Sequence, residues 1–250
     1  MKNIEKVLHY SIDYLGGVEA NYILTNTALE ILSYAHPLQN ELKNLMSNQI
    51  DWSAPGSVHR IQPDEIEGIL EGAKIQVFED FQSLKAQTLI ALWTGLELMI
   101  EDLFVAWMLN FPDCLNDKEF QNLKIPLSEF CSLDEESRIR KLYKLYIDQK
   151  NGAKTLGIGR FEVVLRALGL AGEVTDNISQ SIYELNLLRN LFAHQGGRVD
   201  LKFRATEFGQ VYELGKTFHI HDNPFRGYCS FTINYAETIL ERIKLKTDAL

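Results

Sequence analysis

The sequence predicts an all-α protein, and three observations support that class. Apolar residues recur three or four positions apart along most of the 250-residue chain, which is the spacing of one face of an α-helix. Prolines and glycine pairs mark the ends of these segments. Only one short stretch, residues 216–221, has the composition of a β-strand, and it predicts a small hairpin or an extended loop near residues 210–229.

The first part of the chain, residues 1–62, predicts a helical segment that packs on the remainder. Apolar spacing indicates two helices separated by Gly16-Gly17, and Pro37 fits the first turn of a third. The predicted helices and the loop after them are residues 2–15, 18–35, 37–48 and 49–62. Residues 63–250 then form the main helical domain, although a single domain of all 250 residues fits the pattern as well.

A long helix predicted from Pro63 to Phe111 carries the most apolar stretch of the sequence. Pro112 ends it, and Gly72 is the expected place for a break because the helix would otherwise be unusually long. Glu97 lies among apolar neighbours in its second half. A carboxylate there needs a cation or hydrogen-bond donors, so Glu97 either pairs with an arginine in the core or supports a functional arginine.

Shorter elements follow, and several begin at a residue typical of helix caps. One helix starts at Ser132 or Asp134, and the central helix starts at Thr175 or Asp176. An irregular segment, a helix that ends before Gly169 and the last helix are predicted at residues 112–132, 160–168 and 231–245.

The composition excludes several classes of protein. No apolar run has the length of a membrane span, and the three cysteines are too widely spaced for a disulfide framework or a paired-cysteine metal site. The histidines, His36 and His59 among them, lack metal-ligand spacing. We therefore expect a cytoplasmic protein that does not enter a membrane and needs no metal or cofactor.

The net charge of −9 is unevenly distributed along the chain. Residues 136–205 hold 12 Lys and Arg against 7 Asp and Glu, a net of +5, whereas the rest has a net of −14. The candidates for RNA binding in this region are Arg138, Lys141, Lys144 and Arg198. They form either a local site for a polyanion or ordinary solvated helix faces.

The stretch from Ser181 to Asp200 is the strongest functional lead. Its leucines lie on all sides of the predicted helix, which is typical of a helix buried on most faces. Three polar residues at four-residue steps nevertheless share one stripe, namely Asn186, Asn190 and His194. Arg189 lies beside this stripe, and Gly196-Gly197 ends the helix. Because buried polar groups are costly unless paired or used, the stripe indicates a functional site or a structural network.

The six residues from Arg189 to His194 have the form R-N-x-x-A-H. This pattern resembles the HEPN superfamily, whose all-helical RNase domains carry an arginine, often followed by Asn, Asp or His, and a histidine after four to six further residues. Arg189, Asn190 and His194 match those positions. The apolar helix around Glu97 and the Gly-Gly turn after the histidine are also similar, so the resemblance extends over residues 70–245.

The resemblance implies metal-independent RNA cleavage of the toxin or phage-defence type. A ribose 2′-hydroxyl would attack the adjacent phosphate and leave a 2′,3′-cyclic phosphate and a 5′-hydroxyl. His194 would transfer a proton, Arg189 would stabilise the phosphate charge and Asn190 would orient either group. Toxins that a nucleotidyltransferase silences carry a tyrosine where this chain has Gly196, so another neutralising or sensor protein is the expected partner.

The five-residue spacing between Arg189 and His194 constrains the geometry of this site. From Arg189 to His194 an ideal helix turns through about 140°, so the two side chains point in different directions. A distorted helix, the long arginine stem or a second motif helix would bring them together. The third solution agrees with the dimeric cleft of the family and with a helix that is apolar all round, so we expect a homodimer.

Two other interpretations use the same residues. A non-catalytic HEPN-like dimer would bind RNA, a nucleotide or a protein without cleaving anything. A purely structural network would pair Arg189 with Glu184 or Glu97, and His194 would then cap the end of the helix.

Overall fold

The computed structural model describes residues 2–34, 63–150 and 155–248, and it confirms the all-α class. Over these ranges it contains nine α-helices and no strand. The helices are α1 (Lys2–Tyr34), α2 (Pro63–Phe78), α3 (Gln82–Asn110), α4 (Leu127–Ser132), α5 (Glu135–Gln149), α6 (Gly159–Ala167), α7 (Asp176–Gln195), α8 (Leu201–Arg204) and α9 (Asp222–Thr247). None of the described helices is both long and apolar enough to cross a membrane.

Helix α1 corrects the first predicted boundary. Gly16-Gly17 does not end a helix, because α1 continues through both residues to Tyr34. Glycine lowers helix stability by only about 1 kcal/mol relative to alanine, so a glycine pair is a weak stop signal. Ile4, Leu8 and Leu15 are fully buried on one face of this helix. The predicted helix from Pro37, the loop at 49–62 and the residues His36 and His59 lie outside the described residues.

The break in the long helix predicted from Pro63 also lies elsewhere than expected. The chain stays helical through Gly72 and turns between α2 and α3, where Asp80 and Phe81 both have φ of 53°. Lys85 is fully buried and its Nζ lies 2.8 Å from the Asp80 carboxylate. Two left-handed residues and the ion pair between the buried Lys85 and the half-exposed Asp80 therefore define this turn, and no glycine or proline marks it.

The backbone divides into two compact units. One unit comprises residues 1–19 and 86–250, and the other comprises residues 20–85. The predicted boundary after residue 62 remains a prediction. All of the candidate site residues belong to the first unit, whose core includes the apolar half of α3 and the inner faces of α7 and α9. Trp93, Phe161 and Tyr235 stack through this core, with ring centroids 5.1 Å and 6.3 Å apart.

The region predicted as a hairpin or loop near 210–229 consists of a short 3₁₀ helix (Gly209–Val211), a turn at Gly215 and a loop that ends earlier than expected. Helix α9 begins at Asp222, well before the predicted Phe231, because Pro224 lies in the first turn, where a missing N–H is harmless. The segment after α7 runs antiparallel to the residues before α9. An isolated bridge joins Arg198 to Thr217, and the Val199 amide donates to the Lys216 carbonyl at 2.9 Å.

Candidate functional site

The end of α7 is fixed as the sequence predicts. Gly196 adopts a left-handed conformation with φ of 58°, and its amide bonds to the Phe192 carbonyl at 3.2 Å. Gly197 has φ of 82°, and a Cβ there would lie only 2.5 Å from the Phe192 ring. These two glycines end the helix at Gln195, which leaves His194 in the last turn.

The predicted polar stripe divides into two parts. Asn186 is buried, and its Oδ1 accepts a hydrogen bond from the Gly157 amide at 3.2 Å. Gly157 has φ of 60° and lies so close to Tyr183 that a Cβ would be 2.8 Å from the Tyr183 Cα. Asn186 therefore holds the turn before α6 against α7, which is a structural task.

The other two members of the stripe line one cavity of about 320 Å³, which we call the histidine cavity. Its lining residues are Leu156, Leu187, Asn190, Leu191, His194, Gln195, Asp200, Lys202, Phe203 and Thr206. Helix α7 supplies one wall. The short helix α8, which begins after Asp200, supplies another, and the Asp200 carboxylate caps that helix by accepting from the Phe203 amide at 2.7 Å.

Two side chains of this cavity, His194 and Lys202, can carry a positive charge and have no partner within residues 2–34, 63–150 and 155–248. The His194 ring is exposed and makes no hydrogen bond or ion pair with any described residue. Lys202 is exposed as well, and its ammonium likewise pairs with no carboxylate in the described part of the chain. An imidazole and an ammonium at one cavity are suited to bind and protonate an oxyanion.

Arg189 points away from the histidine cavity. Its Nη1 donates to Asn190 Oδ1 at 2.9 Å, and its Nη2 lies 3.9 Å from Glu97 Oε2. Its Nε is buried without an acceptor among the described residues. The arginine and the histidine of the motif therefore lie on different sides of α7, as the five-residue spacing predicts, and Asn190 is the link between them.

Glu97 belongs to a second cavity, which we call the glutamate cavity. This space of about 430 Å³ is lined chiefly by Glu97, Glu101, Tyr143, Lys144, Asp148 and Arg160. Arg160 Nη1 lies 3.0 Å from Glu97 Oε1, and Glu101 receives a bond of 3.1 Å from Arg140. The Tyr143 hydroxyl has no hydrogen-bond partner among the described residues, and burial raises the pKa of this phenol well above its usual value.

Glu184 has a different partner from the one that the structural interpretation gives it. Its Oε2 accepts from the Tyr228 hydroxyl at 2.8 Å, and its Oε1 accepts from Gln180 at 2.7 Å. Burial, with the adjacent carboxylate, raises the pKa of Tyr228 well above its usual value. Glu184 thus joins α7 to α9 and makes no ion pair with Arg189.

The four basic residues proposed to bind RNA have separate environments. Arg138 donates to the Phe130 carbonyl at 2.8 Å and stacks over the Phe130 ring. Lys144 lines the glutamate cavity, whereas Arg198 forms the backbone bridge after α7. Lys141 lies on α5 and lines neither cavity. The basic character of this region is reduced further because Arg140 is bound by three carboxylates.

Sequence reasoning missed three residues of these cavities. Arg160 is distant from Glu97 in the sequence, so spacing gives no indication of their pairing. Asp200 and Lys202 lie just after the motif, in a segment for which no helix was predicted, although an Asp before a short helical pattern is a cap signal. The described residues contain no cluster of three or more potential metal ligands.

The apolar faces of α7 are covered within one chain. Leu185, Leu187, Leu188 and Leu191 are between 0 and 6% exposed. Their burial needs no second copy, so an all-round apolar helix no longer argues for a homodimer, and the dimer remains a prediction from spacing and resemblance. No protein-family model, curated protein or solved structure matches this chain.

Proposed function

We propose that this protein is a metal-independent endoribonuclease of the HEPN type. The observation that carries the proposal is the histidine cavity, where His194 and Lys202 lie beside Asn190 and pair with no residue that the structure describes. A few polar side chains that converge on a cavity with apolar walls are typical of a ligand site. The match of Arg189, Asn190 and His194 to the HEPN pattern supports RNA as that ligand.

The proposed reaction is an intramolecular transfer at one phosphate. The 2′-oxygen bonds to phosphorus and loses its proton, while the bond from phosphorus to the 5′-oxygen breaks and that oxygen gains a proton. His194 transfers one of these protons. Lys202 binds the phosphate charge. In the expected homodimer, His194 of the second copy would transfer the other proton.

Arg189 acts on this site through Asn190 in the observed arrangement. Its guanidinium holds Asn190 Oδ1, so the Asn190 amino group is the part available to RNA. The resemblance gives Arg189 direct contact with phosphate instead. The two roles differ in a double-mutant cycle on cleavage rate. If Arg189 acts only through Asn190, the double alanine variant cleaves RNA as fast as the Asn190→Ala variant.

The deciding experiment maps RNA ends after incubation with the purified protein in EDTA. We expect 2′,3′-cyclic phosphate ends from the wild type and a loss of at least about 100-fold in rate for His194→Ala. His9→Ala, which removes an exposed histidine on α1, is the matched control and should leave the rate unchanged. Cleavage that survives in His194→Ala would disprove the proposal.

A specific observation favours one second function, a binding module that does not cleave. Arg189 lies near Glu97 and bonds to Asn190, as a structural arginine would. In that case the wild type binds RNA with the histidine cavity and produces no new ends. Measuring RNA affinity by filter binding, together with the mapping of RNA ends, distinguishes this outcome from a protein that neither binds nor cleaves RNA.

A further inference from the structure

The histidine cavity has an apolar floor that phosphate recognition does not need. Leu187, Leu191 and Phe203 are at most 6% exposed, whereas His194 and Lys202 are exposed. The apolar groups therefore lie deep and the polar groups lie at the rim. Phosphate is charged and ribose carries several hydroxyls, so a ligand that fills this space needs a larger apolar face than either of them offers.

Beside this apolar floor, Asn190 and Asp200 each have a polar group that makes no hydrogen bond with the described residues. Asn190 Oδ1 is engaged by Arg189, which leaves the Asn190 amino group as a donor. Asp200 Oδ1 accepts from the Phe203 amide, which leaves Oδ2 as an acceptor. The Thr206 hydroxyl is already used twice, as it donates to the Phe203 carbonyl and accepts from the Gly209 amide. Besides the exposed side chains of His194, Gln195 and Lys202, the cavity thus offers the Asn190 amino group as a donor and Asp200 Oδ2 as an acceptor for a ligand edge.

We propose that the histidine cavity binds one unpaired nucleobase of single-stranded RNA. A base has an apolar face for the leucines and Phe203, and an edge with donors and acceptors for Asn190 and Asp200. Lys202 and His194 at the rim would meet the adjoining phosphate. A base inside a duplex cannot enter such a cavity without leaving its stack. This inference rests on the proposed function for the identity of the ligand as RNA.

The substrate class follows from this geometry. The protein cleaves next to an unstacked base in a single strand, loop or bulge, and paired RNA is protected. Binding can be measured apart from cleavage with 2′-O-methyl RNA, in which no 2′-hydroxyl is present to attack. The test compares a single-stranded 2′-O-methyl oligonucleotide, copies that carry one abasic position at each site in turn, and the same strand annealed to its complement.

We expect one abasic position to weaken binding about 10-fold or more, because stacking and edge contacts of one base are lost. Annealing should weaken binding further. Leu156→Ala removes an apolar wall and should weaken binding of the intact strand more than it weakens binding of that abasic strand. Leu201→Ala is the control, since Leu201 is 72% exposed and does not line the cavity.

The charged rim is tested in the same assay. Lys202→Ala should lower the slope of log affinity against log salt by about one, while Arg204→Ala, on the same short helix but outside the cavity, changes affinity less. Equal affinity for the intact and all abasic strands, or no affinity for single strands, would overturn the inference. Base-dependent binding without cleavage of unmodified RNA would uphold it and refute the ribonuclease proposal.

Discussion

Glu97 in the glutamate cavity and His194 in the histidine cavity differ in how their polar side chains are satisfied. In the glutamate cavity, Glu97 is bound by Arg160 at 3.0 Å and lies 3.9 Å from Arg189. In the histidine cavity, His194 and Lys202 have no partner among the described residues. Arg189 and His194 of α7 therefore lie in different environments. Arg189 approaches a glutamate that ion pairs already hold, whereas His194 lines a cavity in which no described residue pairs with it.

The difference shows that residue type and spacing do not assign a role by themselves. Asn186 and Asn190 are the same type of residue, and they lie one helical turn apart. The first is buried and holds the Gly157 amide, whereas the second lines the histidine cavity. The partner of each side chain decides whether it serves the fold or the ligand, and this contrast can be tested by mutation.

Asn190→Ala is expected to have the largest effect, and that effect is on function. It removes the donor at the histidine cavity and the group that Arg189 holds, so RNA cleavage should fall by about 100-fold. The free energy of unfolding should fall by less than about 1 kcal/mol, because Asn190 is only half-buried. Initial cleavage rates and urea denaturation measure the two quantities.

The control for this variant is Asn177→Ala, an exposed asparagine in the first turn of α7. It should change neither quantity. A fall in stability of several kcal/mol for Asn190→Ala, with no specific loss of cleavage, would make Asn190 a structural residue like Asn186.

Asn186→Ala should show the reverse pattern. It leaves the Gly157 amide without an acceptor inside the protein, and an unsatisfied buried donor lowers the free energy of unfolding by about 2 kcal/mol. Cleavage measured well below the melting temperature should stay within a factor of a few of the wild type. If cleavage by Asn186→Ala falls as far as cleavage by Asn190→Ala, the two halves of the stripe are not distinct.

The sequence predicted much of the fold because local signals decide it. Helical spacing indicated the all-α class, and Gly196-Gly197 and the Asp134 cap mark helix ends where expected. Gly16-Gly17 misled because a glycine in a helix costs only about 1 kcal/mol relative to alanine, so the pair is a weak stop signal and α1 continues through it. The turn at Asp80 could not be predicted, since it depends on the buried Lys85 and not on a turn residue.

The site was predicted less completely, for a physical reason. The motif residues are near neighbours in the sequence, so their spacing indicates a shared helix. Arg160 and Lys202 approach the site from other elements, and only the tertiary fold brings them there. The different directions of Arg189 and His194 follow from helix geometry, whereas the choice of Glu97 as the partner of Arg189, and its sharing with Arg160, do not.

Glu97→Gln tests the glutamate cavity and should have a moderate effect on stability. The amide oxygen can still accept a bond from Arg160, but the negative charge between two arginines is lost. Because these groups are partly exposed, we expect the free energy of unfolding to fall by about 1 kcal/mol. Glu136→Gln, which removes an exposed partner of Arg140, is the control and should change stability by less than about 0.5 kcal/mol.

The same variant also tests how far Glu97 supports Arg189. If the carboxylate positions that arginine, cleavage by Glu97→Gln should fall about 10-fold, in keeping with the loss of an indirect contact. Unchanged cleavage together with lower stability would make Glu97 a structural residue of the glutamate cavity alone.

Tyr143→Phe should have the smallest effect at neutral pH. The Tyr143 hydroxyl has no partner among the described residues, so its removal should change the free energy of unfolding by less than about 0.5 kcal/mol and leave cleavage unchanged.

The Tyr143→Phe variant should differ from the wild type at high pH. Burial raises the pKa of this phenol in the folded protein, so its contribution is complete below the unfolded pKa of about 10 and is lost as the pH rises above it. Tyr143→Phe has no phenol to ionise at this position. Its free energy of unfolding should therefore decline less steeply than that of the wild type in urea titrations above about pH 10. An equally steep decline would mean that the phenol ionises as readily in the folded chain as in the unfolded one, and that the glutamate cavity is more open to water than its ion pairs indicate.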